Sequence, residues 1–211
     1  MGIKCSIVGL PNVGKSTLFN SLTTAGIPAE NYPFCTIEPN VGIVSVPDAR
    51  LEAISQIVQP QRTVHTVVEF VDIAGLVRGA SKGEGLGNQF LAHIRETDAV
   101  AHVVRCFASD DVSHVSGNLD PIGDIETVNT ELLLADLETA QRSFEKAVKQ
   151  AKTNEKDALA WRNLLQQVIT ELEAGRPVRD IELQARERTL LQSLQLITAK
   201  PLMYVANLDE T

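Results

Sequence analysis

Cysteine is scarce in this sequence, and long apolar runs are missing from it. Three cysteines, Cys5, Cys35 and Cys106, occur among the 211 residues. Because their number is odd and their spacing is unlike that of a metal site, a disulfide framework is disfavoured and we expect free thiols in a reducing compartment. No run is long enough to span a bilayer, and the N-terminus has no charged and then apolar leader. The sequence therefore predicts a cytoplasmic protein with no membrane partner.

Basic residues are also in deficit, since 19 lysines and arginines stand against 27 acidic residues and the formal net charge is −8. A chain with this balance lacks the positive potential that attracts proteins indiscriminately to nucleic acid, so no DNA partner is expected. The length allows one substantial core, with room for an appended subdomain.

The most informative feature that is present is the octapeptide 9–16, which reads Gly-Leu-Pro-Asn-Val-Gly-Lys-Ser. Two glycines five apart, followed by Lys and Ser, have the spacing of a phosphate-binding P-loop, in which backbone N–H groups point at an anion. An apolar run precedes the loop and an amphipathic run follows it, which predicts a strand and then a helix with a positive N-terminus. We therefore expect a bound nucleoside triphosphate. The predicted contacts are Asn12, Val13, Gly14, Lys15, Ser16 and Thr17.

Three further positions complete the pattern of a nucleotide switch. An apolar strand ends in Asp72, which would hold Mg²⁺ together with the Ser16 hydroxyl, and the amide of Gly75 could then meet the γ-phosphate. Thr36 lies in a turn-rich loop between these motifs, where its hydroxyl could complete the metal shell. Lys15 would reach the β- and γ-phosphates and stabilise the reacting group. Loops of this kind are ordered by the γ-phosphate and released on hydrolysis.

The periodicity of apolar residues predicts an α/β fold. Strands are expected near 3–8, 41–46, 66–72, 99–105 and 201–206, and helices near 15–25, 48–58 and 86–97. This alternation is typical of a P-loop nucleotide-binding domain with a mostly parallel sheet flanked by helices, here built from residues 1–121 and 200–211. Residues 122–199 interrupt the alternation with two helical patterns. We predict that they form an inserted α-helical hairpin with a shorter helix after Pro177.

The predicted hairpin contains a basic stretch. Residues 142–162 hold six basic residues against three acidic ones, a net charge of +3, while the remainder of the chain is −11. Two interpretations are open, a solvated exterior or a stripe that contacts RNA. Four residues are predicted to lie near one helical face: Arg142, Lys146, Lys149 and Lys156.

A candidate base-recognition motif, Asn207-Leu208-Asp209-Glu210, lies near the last residue of the sequence. A guanine-specific site uses Asn-Lys-x-Asp, in which the Asp carboxylate accepts from guanine N1–H and the 2-amino group, and adenine offers neither donor. Leu208 replaces the Lys that flanks the base, and Glu210 is one methylene too long for the paired contact. Asn207 can still meet the N6/N7 edge of adenine, so ATP is favoured over GTP.

The residue after Gly75 predicts slow hydrolysis. Small GTPases commonly place a Gln there to orient the attacking water, and this sequence has Leu76. His114, in a polar segment after the fourth predicted strand, could position the water, although an ordinary loop histidine is the alternative. Asn12 could instead help to bind K⁺ between the β- and γ-phosphates. His93 is expected to pack within a helix.

Four segments resemble a known family. They read Gly-Leu-Pro-Asn-Val-Gly-Lys-Ser-Thr at 9–17, Tyr-Pro-Phe-Cys-Thr-Ile-Glu-Pro-Asn at 32–40, Asp-Ile-Ala-Gly-Leu-Val at 72–77 and Gly-Ala-Ser-Lys-Gly-Glu-Gly-Leu-Gly at 79–87. They are similar to the Obg-like group of translation-factor-class GTPases, and most similar to its YchF branch of ATPases. The resemblance implies a coiled-coil insertion at 122–199, an Asn-x-x-Glu base motif and a ribosomal partner. It also implies that the sequence stops before the loop that completes the base pocket and before a TGS domain.

Three functions are compatible with these features. The first is a switch that binds ATP, and GTP as well, with Mg²⁺, hydrolyses it slowly and acts on ribosomes or ribosomal RNA. The second is an Obg-type switch specific for GTP. The third is a nucleotide-gated module that binds RNA or ribosomes and whose hydrolysis is incidental.

Overall fold

The computed structural model describes residues 2–24, 41–72, 86–108, 119–153 and 155–209. Its strands and helices, in chain order, are β1 (Ile3–Val8), α1 (Lys15–Thr24), β2 (Val41–Ser45), α2 (Ala49–Val58), β3 (Val67–Asp72), α3 (Leu86–Arg95), β4 (Ala99–Arg105), α4 (Pro121–Gln150), α5 (Lys156–Glu173), α6 (Ala185–Gln192) and β5 (Leu202–Asn207). Short 3₁₀ helices lie at Ala151–Thr153, Val178–Asp180 and Ile197–Ala199.

The strands of the described residues form one sheet in the order β2-β3-β1-β4-β5. β1 runs parallel to β3 and β4, and β4 runs parallel to β5, whereas β2 is antiparallel to β3. The parallel strands bring their C-terminal ends to one edge of the sheet, where ligands of α/β proteins bind. The predicted mostly parallel α/β sheet is confirmed, and each predicted strand and helix lies within two residues of its expected bounds.

Apolar side chains of the central strands and of α3 form the core beside the sheet. Ile7 and Val8 of β1 and Val103 of β4 are buried, as β-branched residues in a two-sided sheet are expected to be. On α3, Phe90 and Ile94 face the same cluster. Burial of these side chains holds β1 and β4 rigidly, and the loops that follow these two strands begin from fixed positions.

Helix α4 packs against two different clusters along its length. Asp120 caps its N-terminus by accepting a hydrogen bond from the Gly123 amide at 3.0 Å, and Pro121 occupies the first turn, where proline costs no hydrogen bond. Val128 lies in the cluster beside the sheet, whereas Ala140, further along, packs in a second cluster with Leu164 of α5. At 30 residues α4 is about 45 Å long, so it connects the two clusters as one rigid element.

The helical pair predicted between β4 and β5 is present, since α4 and α5 pack against each other and are joined by a 3₁₀ turn. The division of the chain at 121/122 and 199/200 stays a prediction, because α4 contributes to both clusters. One detail was wrong: Lys156 is the first residue of α5, so it does not share a helical face with Arg142, Lys146 and Lys149 of α4. All four side chains are exposed.

None of the helices in the described ranges combines the length and the hydropathy that a membrane span requires.

A candidate nucleotide-binding site

The turn between β1 and α1 has a backbone that requires glycine at two positions. Gly9 has φ +152° and Gly14 has φ +96°. A Cβ atom at Gly9 would lie 2.4 Å from the Val103 carbonyl oxygen, and one at Gly14 would lie 2.4 Å from Asn207 Nδ2. Asn12, at φ +61°, adopts the left-handed conformation that Asn tolerates better than most residues. Positive φ values of this kind let successive N–H groups turn towards one point, which makes a concave anion site.

Lys15 lies at the first turn of α1 and is only 7% exposed. Its Nζ donates a hydrogen bond to the Leu10 carbonyl oxygen at 2.7 Å, so the ammonium group lies over the loop. The Leu18 amide donates to the Gly14 carbonyl oxygen, which closes the first turn of the helix. Amides at the N-terminus of a helix are directed out of the helix along its axis, and such a terminus favours an anion. The buried ammonium of Lys15 and the N-terminus of α1 therefore both make the potential at the loop more positive.

The end of β3 lies beside the strand that leads into this loop. Asp72 is the last residue of β3 and pairs in parallel register with Ile7, two residues before Gly9. Ser16 follows Lys15 on α1 and is exposed. Hydroxyl and carboxylate oxygens are the ligands that Mg²⁺ prefers, so the residues at this edge fit a magnesium ion. The Asp72 side chain itself lies outside the described part of the chain.

Asn207 connects the end of β5 to the loop. Its side-chain Nδ2 donates to the Val13 carbonyl oxygen at 3.0 Å. Its backbone carbonyl oxygen accepts from the Cys106 amide at 2.8 Å. One amide hydrogen is thus directed to the loop, and the second hydrogen and Oδ1 are the groups that a base could use. Asn207 is the last residue of β5 rather than the first residue after it, and Leu208 beside it is exposed.

His102, on β4, is a buried polar residue of this region that belongs to none of the sequence motifs. It is 1% exposed, and its Nδ1 has no hydrogen-bond partner among the described residues. The ring lies 5.4 Å from that of Tyr204 between centroids. Burial lowers the pKa of His102 to about 4, and the nearby charge of Lys15 acts in the same direction. His102 is therefore neutral at pH 7. A single histidine within an otherwise apolar strand was the signal available in the sequence.

Arg105 is a second residue that the motifs missed. It ends β4, is buried, and pairs in register with Asn207 at the sheet edge that carries the loop. Its Nε donates to the Phe107 carbonyl oxygen at 3.1 Å, and its guanidinium carbon lies 4.6 Å from the centroid of the Phe107 ring. The signal available in the sequence for Arg105 was a charged residue at the end of the largely apolar strand β4.

The structure thus brings most of the predicted contacts together at one edge of the sheet. Four predicted positions lie outside the described residues: Thr36, Gly75, His114 and Glu210. The expectation that His93 packs within its helix was wrong, because α3 turns Phe90, Leu91 and Ile94 to the core and leaves His93 exposed. Cys5 and Cys106 are free thiols, as predicted.

A buried strand, a glycine-dependent anion loop and a helix that begins with a lysine define a P-loop nucleoside-triphosphate-binding domain. A family model described as "50S ribosome-binding GTPase" matches residues 4–135. The chain belongs to this family.

Named relatives agree with this assignment. The chain is 58% identical over 210 residues to "Ribosome-binding ATPase YchF" of Escherichia coli O157:H7, and 53% identical over 210 residues to the protein of the same name from Bacillus subtilis. These alignments cover all of this chain and 58% and 57% of the two relatives. A solved structure of the Schizosaccharomyces pombe YchF GTPase superposes with a TM-score of 0.83 at 39% identity, covering 99% of this chain and 57% of that one. The resemblance to the YchF branch is confirmed, and the chain spans less than two thirds of the length of these relatives.

Proposed function

We propose that this chain is the nucleotide-binding part of a molecular switch that binds ATP with Mg²⁺ and hydrolyses it slowly. The observation that carries the proposal is the loop between β1 and α1, where Gly9 and Gly14 leave no room for a side chain and the ammonium of Lys15 lies over the turn. Backbone amides and one buried cation are what a polyphosphate needs, and they bind it without reading its base.

Each predicted site residue has a role in this proposal. Backbone amides from Val13 to Thr17 would bind the phosphates, and Lys15 would neutralise charge that develops on the γ-phosphate. Ser16, Thr36 and Asp72 would hold Mg²⁺, which supplies further charge neutralisation when bound. Asn12 is exposed on the loop, which is compatible with its proposed contact to K⁺.

The base would be selected at the end of β5. Asn207 is held against the loop by its bond to Val13, so its remaining N–H and Oδ1 have a fixed direction towards a base. Neither Leu208 nor Glu210 can reproduce the paired acceptor that guanine requires. We therefore propose that ATP binds at least as tightly as GTP, and a GTP-specific switch is the outcome that would contradict this.

Hydrolysis would depend on a group other than Leu76, which cannot hydrogen-bond water. We propose His114 for this role, because a neutral imidazole can accept a hydrogen bond from the attacking water and histidine is mostly neutral at pH 7. The amide of Gly75 would bind the γ-phosphate. If His114→Ala leaves turnover unchanged, the role passes to Asn12 with K⁺, or to a group supplied by a partner.

The proposed partner is the ribosome. The relatives that match this chain over its whole length are named ribosome-binding ATPases, and the basic residues of α4 are exposed and available for RNA. Such a partner would place the protein in the cytoplasm. A nucleotide-gated ribosome-binding module with incidental hydrolysis is distinguished by measuring turnover with and without ribosomes.

The decisive experiment compares ATP and GTP affinity in the parent chain and in the double variant Leu208→Lys, Glu210→Asp, by titration with fluorescent nucleotides and also in a chain extended to the length of the relatives. The parent should prefer ATP, and the double variant should gain guanine preference because the paired acceptor returns. Gln166→Ala, a change to an exposed polar residue of α5, is the control. A double variant that still prefers ATP would place base selection elsewhere.

A further inference from the structure

A cavity of about 460 Å³ lies at the end of the sheet opposite to the phosphate loop. Its wall includes Asp98 and Pro201, which directly precede β4 and β5, whereas the loop follows the C-terminal end of the parallel strand β1. The volume lies within the range of small-molecule sites, about 300–1,000 Å³. The cavity is therefore separate from the nucleotide site and large enough for a ligand of modest size.

One part of the cavity lining is apolar. Val178, Leu191 and Leu196 are buried and line the cavity, and Leu183 adds a partly buried side chain. These residues come from the 3₁₀ helix after Pro177, from α6 and from the segment that leads to β5. A flat apolar body can lie against such a surface and be removed from water.

The other part of the lining is cationic. Arg179 is fixed by a hydrogen bond from Nη1 to the Thr198 carbonyl oxygen at 3.2 Å, and Arg188 by one from Nε to the Leu183 carbonyl oxygen at 3.2 Å. Neither arginine has a carboxylate within ion-pair distance among the described residues. Each guanidinium group is thus anchored by one N–H to backbone, and its further N–H groups are donors for an anion.

The remaining charged residues of the lining are already engaged or lie at the solvent. Arg95 is paired with Asp136, and Lys200 donates to the carbonyl oxygens of Ile94, Arg95 and Thr97 at the end of α3. Asp98 accepts a hydrogen bond from the Lys4 amide at 2.9 Å, and Glu96 is exposed. Four cations, Arg95, Arg179, Arg188 and Lys200, line the cavity with two carboxylates, Glu96 and Asp98, so the lining is net cationic.

We propose that this cavity, defined by Arg179, Arg188 and the apolar lining, binds a small phosphate monoester that carries an apolar or aromatic body. The positive charges of Arg179 and Arg188 complement the double negative charge of a monoester, and the apolar lining complements its body. The site is independent of the triphosphate loop, and its failure would leave the proposed nucleotide function untouched.

The test uses phenyl phosphate and inorganic phosphate as probes, and ³¹P NMR titration measures the binding of each. The protein carries Lys15→Met, so that phosphate binding at the loop is suppressed. Phenyl phosphate should bind saturably and about tenfold more tightly than inorganic phosphate, because the ring buries apolar surface. Arg179→Gln or Arg188→Gln should each weaken binding of both probes by about tenfold or more, as loss of a charge-assisted contact does.

Two further variants make the result decisive. Arg186→Gln, on the same helix as Arg188 but paired with Asp157 away from the cavity, should leave both affinities unchanged. Ala199→Phe, at an exposed position of the lining, should block phenyl phosphate without removing a charge. The proposal is overturned if neither probe binds saturably at millimolar concentration, if Arg186→Gln weakens binding as much as Arg179→Gln, or if Ala199→Phe changes nothing.

Discussion

Lys15 at one end of the sheet and the Arg95–Asp136 pair at the other end use charge in opposite ways. At the edge that carries the loop between β1 and α1, Lys15 is a buried cation whose Nζ donates a hydrogen bond to the Leu10 carbonyl oxygen, and the nearby His102 stays neutral. At the opposite end, the Asp136 carboxylate is 0% exposed and accepts from the amides of Ile197 and Thr198 as well as from Arg95. The charge of Lys15 is suited to meet a ligand, whereas the charges of Asp136 and Arg95 are satisfied within the protein.

At the second end of the sheet, Arg95 and Asp136 hold together α3, α4 and the segment before β5. Arg95 belongs to α3, and it donates to the Ala135 carbonyl oxygen and the Thr139 hydroxyl of α4 and to the Gln195 carbonyl oxygen. Asp136 of α4 in turn fixes the segment that enters β5. One buried pair therefore links α3, the long helix α4 and the segment that leads into β5. Burial of Asp136 raises its pKa, and the two amides and Arg95 oppose that effect.

The largest effect on stability is expected from Asp136→Ala, which removes the contacts between α3, α4 and the segment before β5. It leaves Arg95 without its carboxylate and two buried amides without acceptors, so the free energy of unfolding should fall by about 3–5 kcal/mol. Urea denaturation measures the loss. Asp157→Ala is the matched control, because Asp157 pairs with Arg186 at 2.9 Å but both side chains are mostly exposed, and it should cost less than about 1 kcal/mol. Equal losses in the two variants would show that burial does not distinguish the two ion pairs.

A large effect of another kind is expected from Lys15→Met at the phosphate edge. The variant keeps the apolar stem and removes the ammonium, so nucleoside triphosphate affinity should fall about 100-fold while the fold is retained. Fluorescent-nucleotide titration measures the affinity and circular dichroism checks the fold. Lys4→Met, an exposed lysine on the same strand that leads to the loop, should leave affinity unchanged. Equal affinity in Lys15→Met and parent would remove the assigned role of Lys15.

A smaller effect is expected from acid, through His102. Its folded-state pKa of about 4 lies below the unfolded value of about 6.5, so the unfolded chain binds a proton first and stability is lost as pH falls from 6.5 towards 4. Between pH 7 and pH 5 this residue should account for about 2 kcal/mol of lost stability. His102→Leu should remove that part of the pH dependence in urea titrations at the two pH values. His93→Leu, which changes an exposed histidine, should retain it, and identical pH dependence in His102→Leu and parent would contradict the assignment.

The smallest effect on stability is expected from Arg142→Gln on α4. Arg142 lies 3.7 Å from Glu138 with both side chains exposed, so the unfolding free energy should change by less than about 0.5 kcal/mol. The same variant decides between the two interpretations of the basic stretch. If α4 contacts RNA, less of the Arg142→Gln variant than of the parent should co-sediment with ribosomes. The salt dependence of the variant's binding should also be shallower. If the stretch is a solvated exterior, co-sedimentation should match that of Arg186→Gln.

Much of the fold could be predicted because the relevant signals are local. Alternation of β-branched strands such as β1 and β4 with amphipathic helices, and the glycine spacing of the loop, each lie within about ten residues of sequence. The predicted helical pair was found for the same reason, since Leu164, Val168 and Leu172 recur at helical spacing and are buried. What remained open was how α4 is shared between two clusters, because the periodicity of a helix does not say which partner each turn faces.

The sequence by itself determined that a glycine-dependent loop follows β1, that Asp72 ends β3 and that Asn207 lies within one residue of the end of β5. It determined these because each depends on residue types at short spacing. Only the tertiary structure decided that Asn207 donates to Val13, that His102 is buried beside Lys15 and that Asp136 accepts from residues about sixty positions away. These contacts join segments distant in sequence, and their energies depend on burial, which arises only when the sheet and its helices pack together.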